Sequence, residues 1–282
     1  MGRMNRVASV LDHMWRLRLE KVGVRGKMST DLHWQTQGQG PDLVLLHGWG
    51  MNGAVWQQVV ERLEPHFRLH VVDLPGYGHS AHLHAASLEE IAQQLLEHAP
   101  KQAIWVGWSL GGLVATHMAL HHADYVSKLV TVASSPKFAA EARWRGIQPQ
   151  VLSAFTEQLS EDFHITVERF MALQAMGSPS ARQDVKNLKQ AVFSRPQPNP
   201  QSLLAGLQML AEVDLRDHLP HLTMPMLRLY GRLDGLVPIK VAQDLEKALP
   251  ASEQFIFTQS SHAPFITEPE SFCHQLLSFA GK

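Results

Sequence analysis

The chain has 282 residues, 45% hydrophobic and 18% charged, which excludes a disordered protein and fits a folded α/β domain carrying an insertion. Its 25 Lys and Arg against 26 Asp and Glu leave a formal charge of −1, so no global basic field points to nucleic acid. No apolar run approaches the roughly 18–20 residues of a bilayer span, and the single cysteine, Cys273, rules out an intrachain disulfide and a multi-cysteine zinc site. Both features fit a reducing cytosol, and a cytoplasmic protein without membrane attachment is expected.

Residues 1–27 carry Arg3, Arg6, Arg16, Arg18, Lys21, Arg25 and Lys27 against only Asp12 and Glu20. They lack the continuous apolar centre and small-residue cleavage pattern of a secretory signal. Val7, Val10, Leu11, Met14 and Leu17 fall on one face of a short helix. Two readings stand: an extension outside the fold, with Met28 as the true start, or a basic targeting or docking helix.

From residue 32 onward strand-like and helix-like segments alternate, the pattern of a mostly parallel sheet covered by helices. Residues 43–46 form a short apolar run, as a buried strand does. It ends at His47, and Gly48, Trp49 and Gly50 follow as a loop. Residues 54–63 show helical spacing and 69–72 read as the next strand. Asp73 closes that strand in Asp73-Leu74-Pro75-Gly76. The sequence Ser87-Leu88-Glu89-Glu90 is a capping box that opens a helix through Leu96.

Residues 103–106 make another strand, and a helix runs from Leu110 to about Leu120. Between them lies Gly107-Trp108-Ser109-Leu110-Gly111, which fits the G-x-S-x-G nucleophile elbow in its strand-before, helix-after context. A chance match in a chain of this composition has odds of roughly one in ten, so the motif needs partners. The turn lifts the serine hydroxyl clear of the sheet and aims the Leu110 amide, at a helix N-terminus, toward a developing oxyanion. Trp49, on the loop after strand 43–46, is best placed to supply the second amide. His117 and His121 lie four apart on this helix, a spacing that suits a metal, but no H-E-x-x-H pattern accompanies them and they read as surface histidines.

After a strand at 129–132 the alternation stops. Residues 136–220 show helical patterns and no strand, with Pro196, Pro198 and Pro200 as a stiff interruption. This block reads as a cap inserted between residues 28–135 and 221–282, the two parts of the core. Phe163, Val167, Phe170 and Gln174, with Met171 beside them, form one helical face that is either plain core or a slot for an aliphatic chain. Arg182, Lys186 and Lys189 form a second stripe, with Asp184 the nearby acid. It is either a solvated face or, with Arg169, a surface for an acidic partner.

A strand at 226–230, a helix at 238–249, a strand at 254–257 and a helix within 271–280 resume the alternation. Asp234 follows the first of these strands and His262 the second, so both stand on loops at the same sheet edge as Ser109. The order Ser109, Asp234, His262 is that of an α/β-hydrolase triad. His47 is the rival base and Asp73 the rival acid. The glycines around His47 favour a structural role for its imidazole.

The segments "LVLLHGWGMN", "VVDLPGYGHS", "GWSLGGLVA", "RLYGRLDGLVP" and "SSHAPFITEPE" resemble those of the α/β-hydrolase superfamily. Trp49 and Trp108, with "TVASSPKF" and "TVERFMALQAMG", narrow the resemblance to the pimeloyl-acyl-carrier-protein methyl ester esterases of biotin synthesis. It covers the chain from about residue 32 to the end, and residues 1–27 lie outside it. The resemblance implies a cytosolic serine esterase that frees a pimeloyl methyl ester carried on acyl carrier protein, with no cofactor and no metal. It also implies that Phe170, Met171, Ala172, Leu173 and Gln174 bind substrate. No segment reads as a dimer face, so a monomer is expected. Two alternatives share these motifs: a broad esterase, lactonase or carbon–carbon bond hydrolase acting on small esters and related substrates, and a non-catalytic binder of small ligands.

Overall fold

The structure, a computed structural model, describes residues 31–282. The basic segment 1–27 lies outside the described residues. Seven strands form one sheet: β1 (Trp34–Gln37), β2 (Asp42–Leu46), β3 (Arg68–Val72), β4 (Ala103–Trp108), β5 (Val126–Val132), β6 (Met226–Gly231) and β7 (Glu253–Phe257). Their spatial order is β1-β3-β2-β4-β5-β6-β7, with β1 antiparallel to β3 and every other pair parallel. The helices are α1 (Gln57–Leu63), α2 (Leu88–Leu96), α3 (Leu110–His121), α4 (Pro149–Glu161), α5 (Phe163–Ala175), α6 (Ala181–Phe193), α7 (Pro200–Glu212), α8 (Ile239–Ala248), α9 (Pro264–Thr267) and α10 (Pro269–Ala280). Among the described residues no helix is long and apolar enough to cross a membrane.

Burial follows from topology. Strands β4 and β6 are buried along their whole length, as central parallel strands covered on both faces must be. Helix α3 is buried from Leu110 to Ala119, which explains why its sequence is apolar nearly all round. The capping box at α2 forms: Ser87 accepts from the Glu90 amide and the Glu90 carboxylate reaches back to the Ala86 amide. The edge strand β1 reads WQTQ, with no apolar run to announce it.

From β4 the chain builds outward through β5, β6 and β7, while β2 and β3 lie on the other side. Strand order therefore reverses between β2 and β4, and an open sheet of this kind offers its crevice at the carboxyl ends there. Residues 47–50 leave β2, and Ser109 leaves β4, at that point.

Four helices, α4 to α7, fill the interval between β5 and β6. Pro200 sits in the first turn of α7, and Asn199 caps that helix by accepting from the Gln201 amide. Pro196 and Pro198 belong to the break before it. Trp49 Nε1 donates to the Leu203 carbonyl, Tyr77 Oη to that of Ser202 and Asn52 Nδ2 to that of Val192. These bonds tie α6 and α7 to the loops around the crevice.

Candidate active site

Ser109 sits at φ 54° and ψ −118°, a strained conformation for a residue with a Cβ. Its neighbours make that turn possible. A methyl group on Gly107 would run into the carbonyl of Gly111, and one on Gly111 would stand 2.5 Å from the His47 carbonyl oxygen. The backbone is pinned as well: the Ser109 amide donates to Val132, and its carbonyl accepts from Ser134 Oγ at 2.8 Å.

Ser109 Oγ lies 2.9 Å from His262 Nε2, and His262 Nδ1 lies 2.7 Å from Asp234 Oδ2. The other carboxylate oxygen, Oδ1, accepts from the amides of Leu236 and Val237 at 2.8 and 3.0 Å. All three side chains are buried. The structure therefore brings together the three residues expected from chain order. The loop carrying His262 is held by two bonds that motif reading did not reveal. Trp108 Nε1 donates to the His262 carbonyl at 2.7 Å, and the His262 amide donates to the Gln174 carbonyl. The signal for the first was available, because a buried indole N–H usually finds an acceptor. Behind them Phe265 packs on Trp108 and Trp56 with ring centroids 4.9 and 4.3 Å away.

The rival residues are engaged elsewhere. His47 Nδ1 bonds the Gly48 carbonyl and its Nε2 accepts from the Leu74 amide, so both ring nitrogens are occupied. Burial holds its pKa down to about 4, and the ring stays neutral. Asp73 accepts from the Gly53 and His79 amides and pairs with Arg195 at 2.7 Å. It is a buried anchor for the segment after α6.

The Gly48–Trp49 loop reaches Ser109 directly: a methyl group on Gly48 would stand 3.1 Å from the serine Cβ. Leu110 opens α3, so its amide is one of the four N-terminal donors without a carbonyl in their own helix. Trp49 is fully buried and meets Phe170 edge-on at 4.8 Å. On α5, Val167, Phe170, Met171 and Gln174 are buried. Leu173 is half-buried and Ala172 exposed, because the helical period turns them outward. A lining built from this helix uses Phe170, Met171 and Gln174 and leaves Ala172 out. The Gln174 amide has both Oε1 and Nε2 buried without a hydrogen-bond partner, which leaves them open to a ligand or water.

Arg169, Arg182 and Lys186 are exposed, while Lys189 pairs with Glu168 at 3.0 Å. Asp184 is not part of that surface. It is buried, accepting from Ser178, Ser180 and Thr267. His121 is exposed as expected, but His117 is buried at 8% and bonds Glu89, because α3 presses that turn against α2.

Comparison with known proteins agrees with this fold. The family profile of the alpha/beta hydrolase fold matches residues 41–269. A pimeloyl-[acyl-carrier protein] methyl ester esterase of Vibrio vulnificus (strain CMCP6) is 99% identical over 255 residues, covering 90% of this chain and 100% of that protein. The protein of the same name from Vibrio cholerae serotype O1 is 78% identical over 253 residues, covering 90% and 99%. Among solved structures, an esterase from Exiguobacterium antarcticum superposes with a TM-score of 0.79 at 24% identity, over 89% of this chain and 96% of that one. An enol-lactonase from Burkholderia xenovorans LB400 gives 0.77 at 19%, over 89% and 96%. At those identities the two structures speak for the fold alone. The chain belongs to the α/β-hydrolase fold family and, within it, to the same family as these Vibrio esterases.

Proposed function

We propose that this chain is a serine carboxylesterase that hydrolyses the methyl ester of a pimeloyl group carried on acyl carrier protein, yielding methanol and the free pimeloyl carrier. The observation that carries the reading is the Ser109–His262–Asp234 relay at the reversal point of the sheet. The names of its Vibrio relatives supply the substrate.

Ser109 Oγ attacks the ester carbonyl while His262 Nε2 takes its proton. Asp234 fixes the imidazole tautomer and steadies the imidazolium. The Trp49 and Leu110 amides hold the tetrahedral oxyanion, each contributing about 3–4 kcal/mol in sites of this kind. Methanol leaves with the proton from His262, and water, activated by the same ring, clears the acyl-enzyme. Water supplies the hydroxyl of the acid product and the proton that restores Ser109, and His262 carries each proton in turn, so the reading invokes no cofactor.

Residues 136–220 act as a cap. Phe170 and Met171 line the slot for the aliphatic chain, and the unpartnered Gln174 amide meets its polar end. Arg169, Arg182 and Lys186, with Lys189 at the rim beside Glu168, receive the acidic carrier. The enzyme works as a cytoplasmic monomer, which size-exclusion elution at the mass of one chain checks.

Methyl-pimeloyl carrier protein incubated with the chain is expected to yield the free carboxylate, followed by mass spectrometry. Ser109→Ala is expected to lower kcat at least about 10⁴-fold while substrate still binds. Turnover retained by that variant rejects the nucleophile. Labelling of Ser109 by a fluorophosphonate without any demethylation rejects the substrate.

A further inference from the structure

Helices α2 and α3 meet at a cluster of imidazoles far from Ser109. Glu89 in the first turn of α2, His117 near the end of α3 and His122 just beyond it each place one ligand atom within 4.8 Å of the others. His117 Nε2 lies 3.1 Å from Glu89 Oε2. His122 Nε2 is buried with no hydrogen-bond partner. His121, one turn after His117, stands with its ring centroid 4.4 Å from that of His117. A plain ion pair accounts for one imidazole and leaves the buried His122 nitrogen unmet.

We propose that Glu89, His117 and His122 form a binding site for a divalent transition-metal ion, zinc foremost, with His121 within reach as a fourth ligand. Two imidazoles and a carboxylate are the donors that borderline ions such as Zn²⁺ take, whereas Ca²⁺ and Mg²⁺ prefer oxygen. Zinc bonds of about 2.0–2.2 Å suit the His117–Glu89 separation nearly as it stands and require the remaining ligand atom to close on that pair. The exposed Glu89 and half-buried His122 supply that movement by side-chain rotation, while His117 is held by its burial.

The position defines the role. Ser109 precedes the first residue of α3, and about 12 Å of helix axis separates it from His117, the nearest of the three, with His122 farther on, just past the helix end. An ion there joins α2 to α3 and stabilises the pair without touching the ester.

The test uses the tag-free full chain stripped with EDTA, titrated with ZnCl₂ by calorimetry and followed by thermal unfolding, with MgCl₂ as control. One-to-one zinc binding and a raised Tm are expected, with neither from magnesium. The chain has 17 histidines, so variants must locate the ion. Glu89→Gln and His122→Gln are each expected to weaken binding at least about tenfold, since losing even an outer partner of a metal ligand costs that much. His117→Gln is expected to abolish it. Absence of one-to-one zinc binding in the unmodified chain overturns the proposal. So does unchanged affinity in Glu89→Gln and His122→Gln, whose partly or fully exposed positions keep the fold out of question.

Discussion

At the scale of single residues, hydrogen bonds decide which atom holds the proton. Asp234 Oδ1 faces two backbone amides and Oδ2 faces His262. In Asp234→Asn the amides keep the side-chain oxygen, so the new NH₂ points at His262 Nδ1. That nitrogen must then accept, which moves the ring proton to Nε2 and leaves nothing to take the Ser109 proton. A fall in kcat of about 10⁴-fold with KM little changed is expected from steady-state kinetics. His47 carries a different consequence. Its folded pKa of about 4 lies below the ordinary histidine value of 6.5, so the unfolded chain binds the extra proton between those limits. Stability is therefore complete above about pH 6.5 and falls as pH drops toward 4, by about 3 kcal/mol from this residue. Urea titrations across that range are expected to show the slope, and a shallower one in His47→Gln. The triad was legible at this scale because chain order and motif context select its members. The standing of His47 and Asp73 depended on partners distant in sequence, such as Arg195, which no local pattern points out.

Among elements, the turn after β4 carries most of the design. Ser109 keeps its φ of 54° because β4, α3 and the His47 loop converge on glycines. In Gly107→Ala the new methyl group meets backbone, the Gly111 carbonyl and the Gly112 Cα, and backbone cannot step aside as a flexible side chain can. A loss of about 3 kcal/mol by denaturant unfolding is expected, together with lower kcat as the serine is displaced. Elements with a strong period or apolar run were readable from sequence: strands near 43, 103 and 226, and the capped start of α2. The strand β1 was not, because a polar tetrapeptide gains its place only by pairing with β3. The inward face of α5 was visible as a stripe, yet its link to His262 runs through the Gln174 carbonyl, a group common to every residue type.

At the scale of the whole molecule, a net charge of −1 does not say where the exposed charges stand. Sequence spacing suggested Asp184 as the acid that tempers the stripe on α6, but Asp184 is buried among hydroxyls and Glu168 pairs with Lys189 instead. Arg182 and Lys186 remain exposed, with Arg169 on α5 likewise turned to solvent. Exposed charges steer an encounter over roughly one Debye length, about 10 Å at 0.1 M salt and 3 Å at 1 M. If they guide an acidic carrier, its association weakens with salt, while the chemistry inside the buried triad does not change. The kcat/KM for the carrier-bound methyl ester is thus expected to fall about tenfold between low salt and 0.5 M, with that for a small free ester unaffected. Arg182→Glu combined with Lys186→Glu is expected to reproduce the loss at low salt and flatten the salt dependence. Neither side chain bears on the core, so folding is preserved and the free ester serves as the internal control. A double variant that processes the carrier substrate as fast as the parent chain removes these two residues from docking.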